Sequence, residues 1–229
     1  MIINNTYFDY SSFNNLENLS IEEAILNNID KPNLSTCFLR FWESPSYFVV
    51  LGRSNKSSVE VNEVVCSQKN IPILKRCSGG GTVLQGPGCL NYALIQTVDS
   101  NTENITLANN YVMGKVKEAI SMQCSDIHIK GYTDLTQGNV KFSGNAQKRK
   151  RYAFLFHGTI LYNFNLNLVE EVLAFPSKWP SYREKRSHIN FIKNIKCDVE
   201  QFKNDLAKLF NCNKKISFPD VQSFLNFQR

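Results

Sequence analysis

The chain has 229 residues, 42% of them apolar, and a formal net charge of +6. That length supports one large core, which predicts a single catalytic-type domain over residues 1–229 and no C-terminal accessory domain. No apolar run approaches the ~18–20 residues that cross a bilayer, Met1 to Tyr10 lacks the basic and apolar regions of a signal peptide, and the seven cysteines are scattered with no close pair. These features exclude a membrane span, a disulfide framework and a side-chain metal cluster, and they predict a cytoplasmic protein with reduced thiols.

Along the chain, Ser20 and Glu23 form a capping box, and Ile21, Ala24, Ile25 and Ile29 share a face, so residues 20–29 read as an amphipathic helix. Asp30 to Asn33 stops it. Cys37 to Trp42 and Tyr47 to Gly52 read as strands joined in a hairpin through Glu43 to Ser46. Val59 to Lys69 reads as a short helix. The Ile71 to Leu74 strand then runs through Lys75 and Arg76 into a glycine-rich loop. Leu90 to Gln96 is a strand, and Thr106 to Gln123, apolar at 108, 112, 116, 119 and 120, is a long helix packed by one stripe. Ile127 to Lys130, Val140 to Phe142 and Ala153 to Tyr162 are strands, and Val199 to Phe210 is a closing helix. The elements predict an α+β fold with a mixed, largely antiparallel β-sheet flanked by helices.

Two segments carry chemistry. In Arg76-Cys77-Ser78-Gly79-Gly80-Gly81-Thr82 the glycines can take positive φ and lie directly against a ligand, and bare N–H groups beside a guanidinium suit a phosphate or carboxylate. An ordinary turn has the same composition. The second segment is Lys141-Phe142-Ser143-Gly144-Asn145-Ala146-Gln147, followed by His157-Gly158-Thr159. Lys148 to Arg151 concentrates four cations, which reads as a solvated hairpin tip or a docking surface for an acidic partner. Without interleaved aromatics it makes a poor nucleic-acid surface, and such a binder leaves the glycine loop without a role.

With Asn18-Leu19 and Glu22-Glu23 at a helix start, and Gly88, Leu90, Asn91 and Tyr92 between the two segments, five motifs stand in one order. Together they resemble the lipoate–protein ligase and octanoyltransferase branch of the biotin/lipoate ligase superfamily, over about residues 15 to 195. A biotin ligase loop is richer in arginine than Ser78 to Gly81.

The resemblance implies ATP-dependent activation of lipoate or octanoate to an acyl-adenylate, with Mg2+ accompanying the ATP. Transfer then goes to a lysine of a lipoyl-acceptor domain, in a 2-oxoacid dehydrogenase complex or the glycine cleavage H protein. It assigns Lys141 as the catalytic cation bridging phosphate and acyl carbonyl. Arg76 is to pair with phosphate or the acyl end, and Ser78, Gly79, Gly80, Gly81 and Val83 are to form the cradle and one wall of an acyl tunnel. Asp134 is the nucleotide-side acid and a charge partner for Lys141. Asn91 is a phosphate or metal-water ligand, or else a buried amide satisfying strand ends. Ser143, Gly144, Ala146, His157, Gly158 and Thr159 complete the binding set.

Two departures stand out. Leu84 to Pro87 replaces the His-Asp that many ligases carry, and the chain ends soon after this domain, which leaves room for a separate accessory subunit. The alternative is an ATP-independent octanoyltransferase acting from an octanoyl-carrier protein through a cysteine thioester, with Cys124, 17 residues before Lys141, as the nucleophile.

Overall fold

The computed structural model describes residues 5–226, so the first four residues of the segment read as lacking a signal peptide lie outside the described residues. The first half comprises β1 (Thr6–Asp9), α1 (Asn15–Ile29), β2 (Cys37–Trp42), β3 (Phe48–Leu51), α2 (Ser57–Glu60), α3 (Glu63–Gln68), β4 (Ile73–Lys75), β5 (Val83–Gln85) and β6 (Cys89–Thr97). Then come α4 (Ile105–Ser121), β7 (Ile127–Lys130), β8 (Asp134–Gln137), β9 (Val140–Ser143), β10 (Asn145–Arg149) and β11 (Ala153–Leu161). The chain closes with α5 (Leu166–Val172), α6 (His188–Phe191), α7 (Val199–Leu209), β12 (Lys214–Lys215) and α8 (Phe218–Asn226).

The main sheet has the order β10-β11-β6-β2-β1-β12, antiparallel except for the parallel pairs that β1 makes with β2 and β12. Two three-stranded sheets flank it, β4-β3-β5 and β7-β8-β9. The fold is α+β, as predicted. Alternation along β2, β6 and β11 divides the apolar side chains between two faces. Leu39, Phe41, Tyr92, Leu94 and Phe156 pack on α4 and α7 on one side. Phe8, Phe38, Ala93, Ile95 and Leu155 pack on α1 and α8 on the other. His157 and Glu22 meet on the second face, whereas Lys141 stands on the flanking β7-β8-β9 sheet.

Several expected boundaries move. Helix α1 begins five residues before Ser20, where the Asn14 side chain accepts from the N–H groups of Leu16 and Glu17. Ser20 instead turns its hydroxyl back to the Leu16 carbonyl at 2.8 Å. The strands around residues 43–46 are not a hairpin: β2 pairs with β1 and β6, whereas β3 pairs with β4 and β5 in another sheet. Both strands are buried throughout, so alternation could not tell which sheet each joins. The helix expected over 59–69 is broken at Val61, which bridges to Leu173, and restarts under an Asn62 cap. The basic run is a hairpin tip only in part, with Lys150 and Arg151 in the turn between β10 and β11. Lys148 and Arg149 extend β10 opposite Leu155 and Phe154, and Arg149 donates to the carbonyls of Thr102 and Glu103.

Candidate active site

The glycine loop leaves β4 and lies across the end of β3. The Arg76 N–H donates to the Leu51 carbonyl at 3.0 Å, and the Arg53 N–H donates to the Ser78 carbonyl at 2.9 Å. Contact is so close that a Cβ on Gly52 would stand 2.2 Å from the Gly80 carbonyl oxygen. The Arg76 side chain turns into the loop rather than outward. Its fork donates to the carbonyls of Gly79 and Gly81 at 2.6 and 2.7 Å, and its Nε donates to Ser78 Oγ at 3.0 Å. Burial pulls its pKa down to about 10. Arg76 therefore braces the loop from within.

The three glycines differ. Gly80 has φ +90°, and a Cβ there would lie 2.9 Å from the Arg76 guanidinium. At Gly79 and Gly81 a Cβ would meet nothing within 4 Å, so this open space is free for a ligand. Among the described residues, the N–H groups of all three donate to no protein acceptor. Val83 begins β5 and packs with Trp42, Phe48 and Val50.

The second segment supplies the cation. Lys141 on β9 sets its Nζ 2.6 Å from Asp134 Oδ1, in a partly exposed pair, and a Cβ on Gly144 would collide with that ammonium at 2.9 Å. The other oxygen of Asp134 accepts from the Tyr182 hydroxyl at 2.7 Å, and both burial and this carboxylate push the phenol pKa far up. The turn carrying Tyr182 is held by Arg183, whose guanidinium lies 4.7 Å from the rings of both Phe175 and Phe191. Tyr182 gave no sequence signal, because it sits in an irregular loop outside every motif.

Ser143 is buried and accepts from the Asn145 amide, and that amide also donates to the Thr133 carbonyl. Gly158 leaves room for the bond from the Tyr92 hydroxyl to Asn145, since a Cβ there would fall 1.6 Å from Asn145 Oδ1. The Thr159 N–H donates to the Gly144 carbonyl. Asn91 is buried and exchanges two hydrogen bonds with Gln85, at 2.7 and 3.0 Å.

Two contacts join the halves. A Cβ on Gly80 would touch the Ala146 Cβ at 3.5 Å. His157, opposite Ala146 in the sheet register, brings its Nε2 to within 2.6 Å of Ser78 Oγ. Its Nδ1 lies 2.7 Å from Glu22 on α1, which also accepts from the Trp42 indole at 2.8 Å and stands 3.6 Å from the fully buried Arg40. The sequence missed Glu22 as a site residue, although its spacing from Asn18 and Leu26 puts it on the buried stripe of α1.

Cys124 lies at the end of α4, where its thiol donates to the Lys196 carbonyl at 3.0 Å and burial pushes its pKa up. All seven cysteines are free. Among the described residues no three His, Cys, Asp or Glu side chains form a metal cluster, and no helix is long and apolar enough to cross a membrane.

Residues 14–211 match the family model of the lipoyl protein ligase A/B catalytic domain. The chain belongs to that family. Lipoate–protein ligase 1 of Staphylococcus aureus is 28% identical to this lipoyl ligase family member over 198 residues, which cover 83% of the chain and 58% of the relative. The family member thus spans little more than half the length of that relative. Among solved structures, the bi-partite lipoate protein ligase of Thermoplasma acidophilum, described with its E2 lipoyl domain, superposes with a TM-score of 0.79 at 18% identity, covering 98% of this chain and 91% of that one. A lipoate–protein ligase A bound with ATP gives 0.76 at 20% identity, with coverage of 98% and 94%. At these identities the structural matches establish the fold.

Proposed function

We propose that the chain is an ATP-dependent lipoate–protein ligase. It activates lipoate or octanoate to the acyl-adenylate with release of pyrophosphate, then passes the acyl group to a lysine of a lipoyl-acceptor domain. The observation that carries this reading is the approach of the triglycine loop, with its unengaged N–H groups, to Ala146 on β10 and His157 on β11, the strands that follow β9 and its Lys141. Such fixed donors stabilise charge that develops on phosphoryl or acyl oxygens, and they need no reorganisation during reaction. Lys141 supplies the compact cation, Asp134 orients it, and Tyr182 holds Asp134. Mg2+ enters with the ATP phosphates. The acceptor, by likeness to the archaeal ligase described with an E2 lipoyl domain, is the lipoyl domain of a 2-oxoacid dehydrogenase complex or the glycine cleavage H protein. A separate accessory subunit, as in that bi-partite enzyme, and a cytoplasmic location belong to the same reading.

The deciding experiment incubates the protein with an apo lipoyl domain and either ATP plus free acid or octanoyl-carrier protein without ATP, then weighs the domain. Acylation that requires ATP and free acid is the expected result. Acylation from the carrier protein alone makes the chain a transferase.

A further inference from the structure

With the His157 ring neutral, the chain of contacts from Trp42 to Arg76 has one consistent arrangement of hydrogens. Indole Nε1 can only donate, so Glu22 Oε1 accepts from Trp42. Burial alone would raise the Glu22 pKa, yet it is lowered, and the Arg40 guanidinium 3.6 Å away and the Trp42 hydrogen bond favour the carboxylate whatever charge His157 carries, so the second oxygen is taken as an acceptor too. His157 Nδ1 must then carry the proton it donates to Glu22. In the neutral ring Nε2 is left as an acceptor, and the Ser78 hydroxyl donates to it. That turns the remaining lone pairs of Ser78 toward the Nε–H of Arg76, the brace of the glycine loop.

We propose that Glu22 is the positioning residue of the glycine loop, acting through His157 and Ser78. Ser78 has no exposed surface, while the three glycines that follow it are open to solvent. The relay therefore pins the loop from beneath at Ser78 and leaves the outward N–H groups of Gly79 to Gly81 for the ligand. The inference rests on the reading that this loop holds the acyl-adenylate. A purely structural Glu22 would serve only as counter-ion to Arg40, and its loss would act independently of Ser78.

A tautomer measurement and a double-mutant cycle separate these roles. The protein has three histidines, so the ¹⁵N resonances of His157 are assigned by comparison with His157→Gln. At alkaline pH, with the neutral ring identified by its ¹⁵N shifts, wild type is expected to carry its proton on Nδ1. In Glu22→Gln, Trp42 claims the single amide oxygen, the amide nitrogen faces His157, and the ring proton moves to Nε2. Calorimetry then measures affinity for a non-hydrolysable octanoyl-adenylate analogue in wild type, Glu22→Gln, Ser78→Ala and the double variant. Each single change is expected to weaken binding about tenfold, and the double by about the same factor, because both break one relay.

An additive loss of about a hundredfold, or an Nε2 proton in wild type, overturns the inference. If Glu22→Gln does not fold because Arg40 loses its counter-ion, His157→Gln takes its place in the cycle and the wild-type spectrum still applies. A wild type that fails to bind the analogue is a failure of the ligase reading. One that binds it with the opposite tautomer is a failure of this inference alone.

Discussion

Lys141 is posed by one acid and by one missing side chain. Asp134 attracts its ammonium, and Gly144 leaves the space through which it reaches, so its position is fixed before any ligand arrives. Lys141→Ala is expected to lower acyl transfer by roughly 10²–10³, the usual cost of one preorganised electrostatic donor. The melting temperature should barely move, since the pair is partly exposed and such pairs contribute little stability. Near-normal turnover by the folded variant would remove Lys141 from the mechanism. Glu22 behaves differently because it is buried. Its folded pKa lies below the ordinary 4.5, so it stabilises the native state above that pH and loses this contribution as pH falls through the folded value. Acid melting curves are expected to steepen below pH 4.5 in wild type. Glu22→Gln should start less stable, with Arg40 unpaired, and vary less over that range. Parallel curves for the two proteins would contradict the assignment.

The glycine loop and the strands beneath it divide one role among three residues that look alike in sequence. Gly80→Ala is expected to destabilise the fold by about 1–2 kcal/mol, from left-handed backbone strain, with a further cost from displacing Arg76. Gly79→Ala and Gly81→Ala should melt like wild type yet bind the adenylate analogue more weakly, because the only thing a methyl group can meet there is ligand. Thermal melts with calorimetry on all three variants decide it, and unchanged affinity in the outer two would make the loop merely a turn. The loop, Lys141 and His157 were legible because motif order carries them. Their internal division was not, since φ and the contacts of Arg76 depend on how β3 meets the loop. Strand β10 escaped notice because Asn145 to Arg149 offers no apolar alternation: it is held by its pairing with β11 and stays half-buried at the sheet edge. Arg40 and Glu22 sit in runs that otherwise read as core, and a charge in such a run is the signal that could have marked the relay. Tyr182 had no such marker, since its approach to Asp134 depends on an irregular turn held by Arg183, Arg186 and Phe191.

The four cations of the basic run do not act alike. Arg149 is committed to the Thr102 and Glu103 carbonyls and lies over the Phe154 ring, and Lys150 sits 3.9 Å from Asp30. Arg151 is exposed, and among the described residues Lys148 forms no ion pair. Arg149→Ala should therefore cost stability, on the order of 1 kcal/mol after discounting for solvent, because it unties the β10–β11 hairpin from the start of α4. Lys148→Gln combined with Arg151→Gln should leave melting unchanged. If this face guides an acidic lipoyl domain, that pair should raise the apparent KM for the domain several-fold while sparing acyl-adenylate formation from free acid. Charges of this kind act mainly on encounter. Added salt should reproduce the effect in wild type and add little in the double variant, whose screened charges are already gone. Equal KM values at low salt would return the run to a purely structural role. A fall in adenylate formation itself would move Lys148 and Arg151 from the docking face to the nucleotide, on the strand that continues directly from Asn145 and Ala146.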